Sequence, residues 1–190
     1  MTSVSGGGSI ETDIPQPVGE YAMSCLGRER MFEHFSRRWN TPMVLIRLFY
    51  ACEVRYGVLI DLAQKIVAGL PIDVSMGYFN IIWQGDNNAM TLLALEHVAS
   101  PPLTINVTGP ELISIREAAS ELGRRLGKEP IFCGQERETA CVGNARNAYR
   151  LFGRPQVQAD RLMGWVADWV KRGGTSLGKP THFEVRDGRY

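Results

Sequence analysis

Two stretches with helical periodicity, 20–38 and 57–70, enclose a short continuous apolar run, Met43-Val44-Leu45-Ile46. The run follows the turn residues Asn40-Thr41-Pro42. A helix buries a stripe at spacings of three and four, whereas an unbroken apolar run between turns suits a strand buried on both faces of a parallel sheet. On the first helical stretch Tyr21, Ala22, Cys25, Leu26, Phe32 and Phe35 share one face, with Arg28, Glu29, Arg30, Arg37 and Arg38 filling much of the rest. The second carries a wide stripe of Val58, Leu59, Leu62, Ala63, Ile66, Val67 and Leu70, stopped by Gly69 and Pro71.

The same alternation continues downstream. Phe79 to Trp83 is a short apolar stretch, and Asp86 is expected to cap a helix over 87–98. Pro101-Pro102 ends that helix, and Leu103 to Val107 predicts a strand. Ser114-Ile115-Arg116-Glu117 is a capping box opening a helix to Leu126, whose buried face is Ile115, Ala118, Ala119, Leu122 and Leu126. A weak strand at 131–133, a helix over 144–152 and a last helix through Trp165 and Trp169 complete the order. Helices alternating with short apolar strands argue for an α/β fold. Residues 1–17, rich in Gly, Ser, Thr and Pro, predict an irregular arm, and 179–190 a loose polar tail.

Composition narrows the function classes. The formal net charge is +1, which provides no global field toward nucleic acid or an anionic membrane. No apolar run reaches the roughly 18–20 residues of a membrane span. Residues 1–17 hold neither Lys nor Arg nor an apolar core of the kind a secretory signal needs. Cys25, Cys52, Cys133 and Cys141 show no metal-ligand or redox spacing, and His34, His97 and His182 stand singly. Free thiols in a reducing cytoplasm and the absence of a metal site are the expectations.

Several segments, in order, resemble the extended short-chain dehydrogenases of the NAD-dependent epimerase/dehydratase family. Tyr21-Ala22-Met23-Ser24-Cys25 and the later Pro42-Met43-Val44-Leu45-Ile46-Arg47 resemble that family's Y-A-x-S-K helix and its P-x-x-I-L-R-P strand. Phe79 to Asp86 resembles its strand ending in an Asp. Ile105-Asn106-Val107-Thr108-Gly109-Pro110-Glu111 resembles its Y-N-V-G-G-P-E segment, and 147–155 with Trp165 and Trp169 its closing region. The resemblance covers residues 15–172. It implies a partial Rossmann-like fold, the C-terminal strands and helices of a parallel sheet, plus a small substrate-binding α/β subdomain. Residues 18–70 would belong to the NAD(P)-binding domain and 71–178 to the substrate portion with interleaved Rossmann elements.

The resemblance implies an NAD(P)-dependent oxidoreductase, epimerase or dehydratase acting on a nucleotide sugar or similar small carbonyl or hydroxyl compound. Tyr21 would be the catalytic residue and would also face the cofactor. Cys25 stands where the family has lysine. A spacing of four places both on one helical face, where the lysine would favour the phenolate and bond the nicotinamide ribose. Cysteine, short and mostly neutral, does neither. Arg28, two turns beyond Tyr21, is the candidate replacement cation, against a simply solvated one.

Arg47, Trp83, Asn106, Thr108 and Glu111 fall where the family contacts substrate. For each a structural role stands beside the functional one: an ion pair for Arg47, core filling for Trp83, a strand-to-turn role for the other three. Phe49 and Cys52-Glu53 depart from the family pattern where it has Asn and a V-Y-G turn. The glycine fingerprint that holds a dinucleotide pyrophosphate is absent from the 190 residues, and Gly6-Gly7-Gly8 follows no apolar strand. The expectation is therefore a C-terminal fragment, inactive alone and binding NAD(P) weakly. A non-catalytic binding module and a truncated gene product are the alternatives. Homodimerisation through 20–38 and 57–70 is the expected assembly, with neither nucleic acid nor membrane as partner.

Overall fold

A computed structural model describes residues 1–189. The chain begins with β1 (Thr2–Ser3), α1 (Gly19–Trp39), β2 (Val44–Leu48), β3 (Ala51–Cys52), α2 (Val58–Ala68) and β4 (Pro71–Asp73). It continues through β5 (Tyr78–Phe79), β6 (Ile82–Trp83), α3 (Gln84–Leu93), β7 (Leu103–Val107) and β8 (Ile113–Ser114). It closes with α4 (Ile115–Leu126), β9 (Ile131–Cys133), β10 (Thr139–Ala140), α5 (Arg146–Phe152) and α6 (Ala159–Lys171).

Every strand pairing joins elements distant in sequence. The longest is β2 with β7, parallel, from Val44 opposite Leu103 to Leu48 opposite Val107. β3 runs parallel to β6 and β4 to β9, while β5–β8 and β1–β10 are antiparallel. Parallel pairs need crossovers, and the helices between them supply these. The expected α/β, Rossmann-like architecture is present.

The main core lies where α2, α4 and α6 meet. Leu59, Leu62 and Ile66 of α2 pack in one cluster with Leu122 of α4 and with Leu162 and Val166 of α6. Of the stripe read in the sequence, Val58, Leu59, Leu62, Ala63 and Ile66 are buried within the chain, which removes most of α2 as a dimer surface, while Val67 and Leu70 are exposed. Ser114 Oγ accepts from the Glu117 N–H at 3.4 Å, one of the two bonds of a capping box, and Gly127 ends α4 in a left-handed cap at φ 72°. A smaller cluster beneath β2–β7 holds Ile82, Met90, Ile105, Val107, Ala145 and Ala148.

Four local expectations are corrected. β2 is only half-buried, because β7 is the one strand paired with it among the described residues. α3 begins at Gln84 with Trp83 at its N-cap, so Asp86 lies inside the first turn. Its carboxylate accepts from the Val157 N–H at 2.9 Å and ties two segments together. The helix ends at Leu93 and tightens into a 3-10 turn over Ala94–His97. The tail, expected to be loose, is docked, and so is the irregular arm. Val4 donates its N–H to the Glu138 carbonyl, Ser9 donates to the Val142 carbonyl, and Phe183 is sealed in the main core.

Candidate functional site

Tyr21 lies in the first turn of α1 and is well exposed, with 64% of its surface accessible. Its carbonyl accepts a bond from Ser24 Oγ at 2.7 Å. One turn on, the Sγ of Cys25 is 3.8 Å from Nη2 of Arg28, which donates to it. The guanidinium thus stands at the residue that replaces lysine in the resemblance, placing a cation on the tyrosine's side of the helix. The following residue, Glu29, points to a different partner, Arg47.

Arg47 ends a polar hub built where β2 meets β7. Its Nε and Nη2 donate to the two Glu29 carboxylate oxygens at 2.9 and 2.6 Å, and Nη1 donates to the Glu11 carbonyl at 3.0 Å. Bidentate contact with Arg47 holds the Glu29 carboxyl below its usual range despite partial burial. Asn106 is buried; its N–H donates to Glu11 Oε1 at 3.1 Å and its side-chain amide to the Ser9 carbonyl at 2.9 Å. Asn147 donates to the other Glu11 oxygen at 2.9 Å. Glu11 and Ser9 carry no local mark, because these partners lie 36 to 136 residues away.

The remaining substrate candidates are engaged in the scaffold to different degrees. Glu111 accepts from the Ala159 N–H at 2.9 Å, a carboxylate at the N-terminus of α6 where the helix dipole favours it. Trp83 packs edge-on to Trp165, ring centroids 5.7 Å apart, as part of the main core. Thr108 is fully buried, and its carbonyl accepts from the Tyr149 hydroxyl at 2.9 Å. Burial pushes that phenol up to about 12. The Thr108 hydroxyl has no hydrogen-bond partner among the described residues. Of the five, it alone holds an unmatched polar atom inside the protein.

The clefts lie elsewhere. One of 540 Å³ is lined by Asp73, Ser75, Gly134, Gln135, Glu136 and Arg137, in the loops that follow β4 and β9. Adjoining it, a second of 680 Å³ is shared by Asp73, Ser75 and Arg137 with the tail residues Glu184 to Asp187 and Arg189. None of Arg47, Trp83, Asn106, Thr108 and Glu111 lines either cleft. The Gln135-Glu136-Arg137-Glu138 run lies between β9 and β10. Parallel pairing of β4 with β9 is what brings it opposite Asp73.

No protein-family model matches the chain, and no curated protein does. Solved structures do. The chain superposes on UDP-glucuronic acid 4-epimerase from Bacillus cereus in complex with NAD with a TM-score of 0.74 at 20% identity. That match covers 90% of this chain and 60% of the other. The UDP-glucose 4-epimerase of Thermus thermophilus with NAD gives the same TM-score and coverages at 18% identity. RMD from Pseudomonas aeruginosa with NADPH gives 0.74 and 18%, over 90% of this chain and 63% of that one. The fold is that of the nucleotide-sugar epimerases. The chain spans about 60% of the length of these structures.

Within the epimerase fold, the residues present do not form a dinucleotide cradle. No two glycines of the sequence stand three apart, as the fingerprint requires. Gly8, at φ 85°, lies so close to the β10–α5 connection that a Cβ there would meet the Gly143 carbonyl carbon at 2.8 Å. Gly8 docks the arm against backbone, whereas a Cβ on Gly6 would meet nothing within 4 Å. No helix among the described residues is long and apolar enough to cross a membrane.

Proposed function

We propose that this chain is the substrate-side portion of an NAD(P)-dependent epimerase, dehydratase or oxidoreductase acting on a nucleotide sugar or similar small carbonyl or hydroxyl compound. The observation that carries the reading is the likeness of fold, over 87% of the chain, to UDP-glucuronic acid 4-epimerase from Bacillus cereus in complex with UDP-glucuronic acid and NAD. The dinucleotide would be held by residues outside these 190, or by a separate chain.

In this reading Tyr21 exchanges a proton with the substrate hydroxyl. An ordinary phenol titrates near 10, so holding it as phenolate at neutrality costs about 4 kcal/mol. The Arg28 guanidinium, beside Cys25, supplies part of that by favouring the anion. Arg47, Asn106 and Glu111 act as the scaffold behind the site. Trp83 forms part of its wall, and Thr108, buried with its hydroxyl unmatched among the described residues, belongs to the scaffold. α1 offers Met23, Met31, Phe32 and Trp39 at its surface, and a homodimer would form through this helix. A second reading, a binding module without hydride chemistry, draws support from Cys25 in the lysine position.

Calorimetric titration with NADH, NADPH and UDP-glucose tests the division of labour. UDP-glucose should bind saturably, while the dinucleotides should show nothing tighter than ~1 mM without a pyrophosphate cradle. Micromolar NADH binding would overturn the assignment of the cofactor to other residues. Silence toward UDP-glucose would overturn the substrate class.

A further inference from the structure

β2 has one edge in a sheet and one edge open. Phe49 donates its N–H to the Val107 carbonyl at 3.0 Å, and Met43 exchanges both backbone bonds with Ala99 at 2.9 and 3.0 Å. Along a strand, successive residues turn their N–H and C=O groups to opposite sides. Residues 43, 45, 47 and 49 therefore bond toward β7, while Val44, Ile46 and Leu48 aim their backbone groups away from it. Among the described residues no strand pairs with that far side, and no bond reaches the N–H or C=O of these three residues.

The other strand edges are capped or short. On β7 the outward N–H of Asn106 is taken by Glu11 at 3.1 Å, so the arm covers that side. β1, β3 to β6 and β8 to β10 have two or three residues each. β2 has five, in unbroken register and without proline, and the three that aim outward are aliphatic. Natural edges are usually blunted by charge, proline or a bulge, because an unpaired ladder templates pairing with another chain. Half-buried backbone groups of this kind need a partner.

We propose that the open edge of β2 is an interface between two copies of this chain, paired antiparallel about a two-fold axis at Ile46. In that register Ile46 faces Ile46 of the second copy and Val44 faces its Leu48, so each outward N–H meets an outward C=O. Charge and backbone chemistry select this register. Centred on Ile46, Arg47 stands opposite Leu45 of the second copy. An axis at Arg47 would set two guanidiniums opposite each other, and like charges in that position destabilise a strand pair. An axis at Leu45 would set Leu48 opposite Pro42, which has no N–H to give.

Within each copy Arg47 stays with its own Glu29 at 2.6 Å. A five-residue edge alone covers less than the roughly 800 Å² per partner of a stable interface. α1, held on β2 by that ion pair, comes alongside its counterpart across the same axis. It adds apolar surface there, with Tyr21 and Trp39 each 64% accessible. The interface is independent of the nucleotide-sugar reading.

Sedimentation of the full chain over a concentration series, with amide exchange followed residue by residue, tests this pairing. The chain should sediment as a dimer, and the amides of Ile46 and Leu48 should be protected together with those of Leu45 and Arg47. Leu48→Lys alters an exposed position and puts a charge on the edge. It should weaken the dimer by about tenfold or more and release the amides of residues 46 and 48. Those of 45 and 47, bonded to β7, should keep their protection and report an intact fold. Leu48→Val should leave the dimer in place. A chain that stays monomeric with Ile46 and Leu48 exchanging freely overturns the proposal and leaves the edge to a strand of another polypeptide. A dimer in which those two amides exchange freely, or one that Leu48→Lys leaves unchanged, also overturns it and moves the assembly to α1 alone.

Discussion

Helices α1 and α4 both begin after extended residues and both end in a left-handed cap, yet the protein uses them in opposite ways. α4 has 12 residues and buries Ile115, Ala118, Ala119, Leu122 and Gly123. α1 has 21 residues and buries only Ser36. The difference follows from what covers each apolar face. On α4 the apolar residues fall at spacings of three and four and form one stripe against α2 and α6. On α1, Tyr21, Phe32 and Trp39 also share a face, but no described element covers it, and they remain exposed along with Met23 and Met31.

Polar ties hold α1 instead. Ser36 Oγ donates to the Thr41 carbonyl at 2.7 Å, and Ser100 Oγ donates to the Ser36 carbonyl at 2.9 Å. Glu29 meets Arg47, and Gly19 meets Gly188. The helix that carries the candidate proton-exchanging tyrosine is thus the one least anchored by apolar contact. Helices with few buried contacts open locally at lower free energy than core helices.

The sharpest way to break the contrast is a truncation in the core. Leu62→Ala, at a fully buried α2 position, should cost about 2–5 kcal/mol in urea unfolding. A loss well below that range would mean the α2–α4–α6 core is not the stabilising unit. Next in size, Glu29→Gln leaves Arg47 without its carboxylate and should cost about 1.5–3 kcal/mol.

The same pair predicts a pH effect. The Glu29 pKa is lowered in the folded state, so its contribution is present above its unfolded value of 4.5 and disappears as pH falls through the folded value. Exchange of α1 amides, followed from pH 6 to pH 3, should therefore accelerate before that of α4. Simultaneous loss of protection would show that α1 belongs to the same cooperative unit.

Smaller effects refine the comparison. Phe32→Ala, half-exposed on α1, should change stability by no more than about 0.5 kcal/mol in the same titration. A larger loss would indicate that this face is covered in solution, and sedimentation would then reveal a dimer. Smallest of all should be Asp61→Asn. Burial raises the Asp61 pKa, so ionisation works against the fold as pH rises from 3.8 through the folded value. Asparagine keeps an acceptor for Thr181 without the charge, and its melting temperature at pH 7 should match the parent closely.

Much of the scaffold was legible in the residues, because helices and short buried strands leave periodic traces. The 57–70 stripe, the Ser114–Glu117 capping box and the 103–107 strand all appear where periodicity and turn residues place them. The site was less legible. Asp86 reads as a helix cap from its neighbours, but its carboxylate serves Val157, 71 residues away. Arg47 and Asn106 carry no mark that tells an ion pair or amide hub from a substrate contact, since both uses need the same donors. The tail reads as loose because Thr181, Phe183, Glu184 and Arg186 each find their partner more than 40 residues back.

From the sequence alone came the α/β class, the order of its elements, the candidate tyrosine with cysteine where the resemblance expects lysine, and the lack of a glycine fingerprint. These are properties of short windows, in which local spacing and residue type carry the physics. Tertiary structure alone decided that Glu11 joins Arg47 to Asn106 and that the tail packs against α2. It also decided that Arg137 and Arg186 face one cleft. Those arrangements depend on which loops the parallel crossovers bring together, and a charged side chain gives no local sign of the partner it will meet.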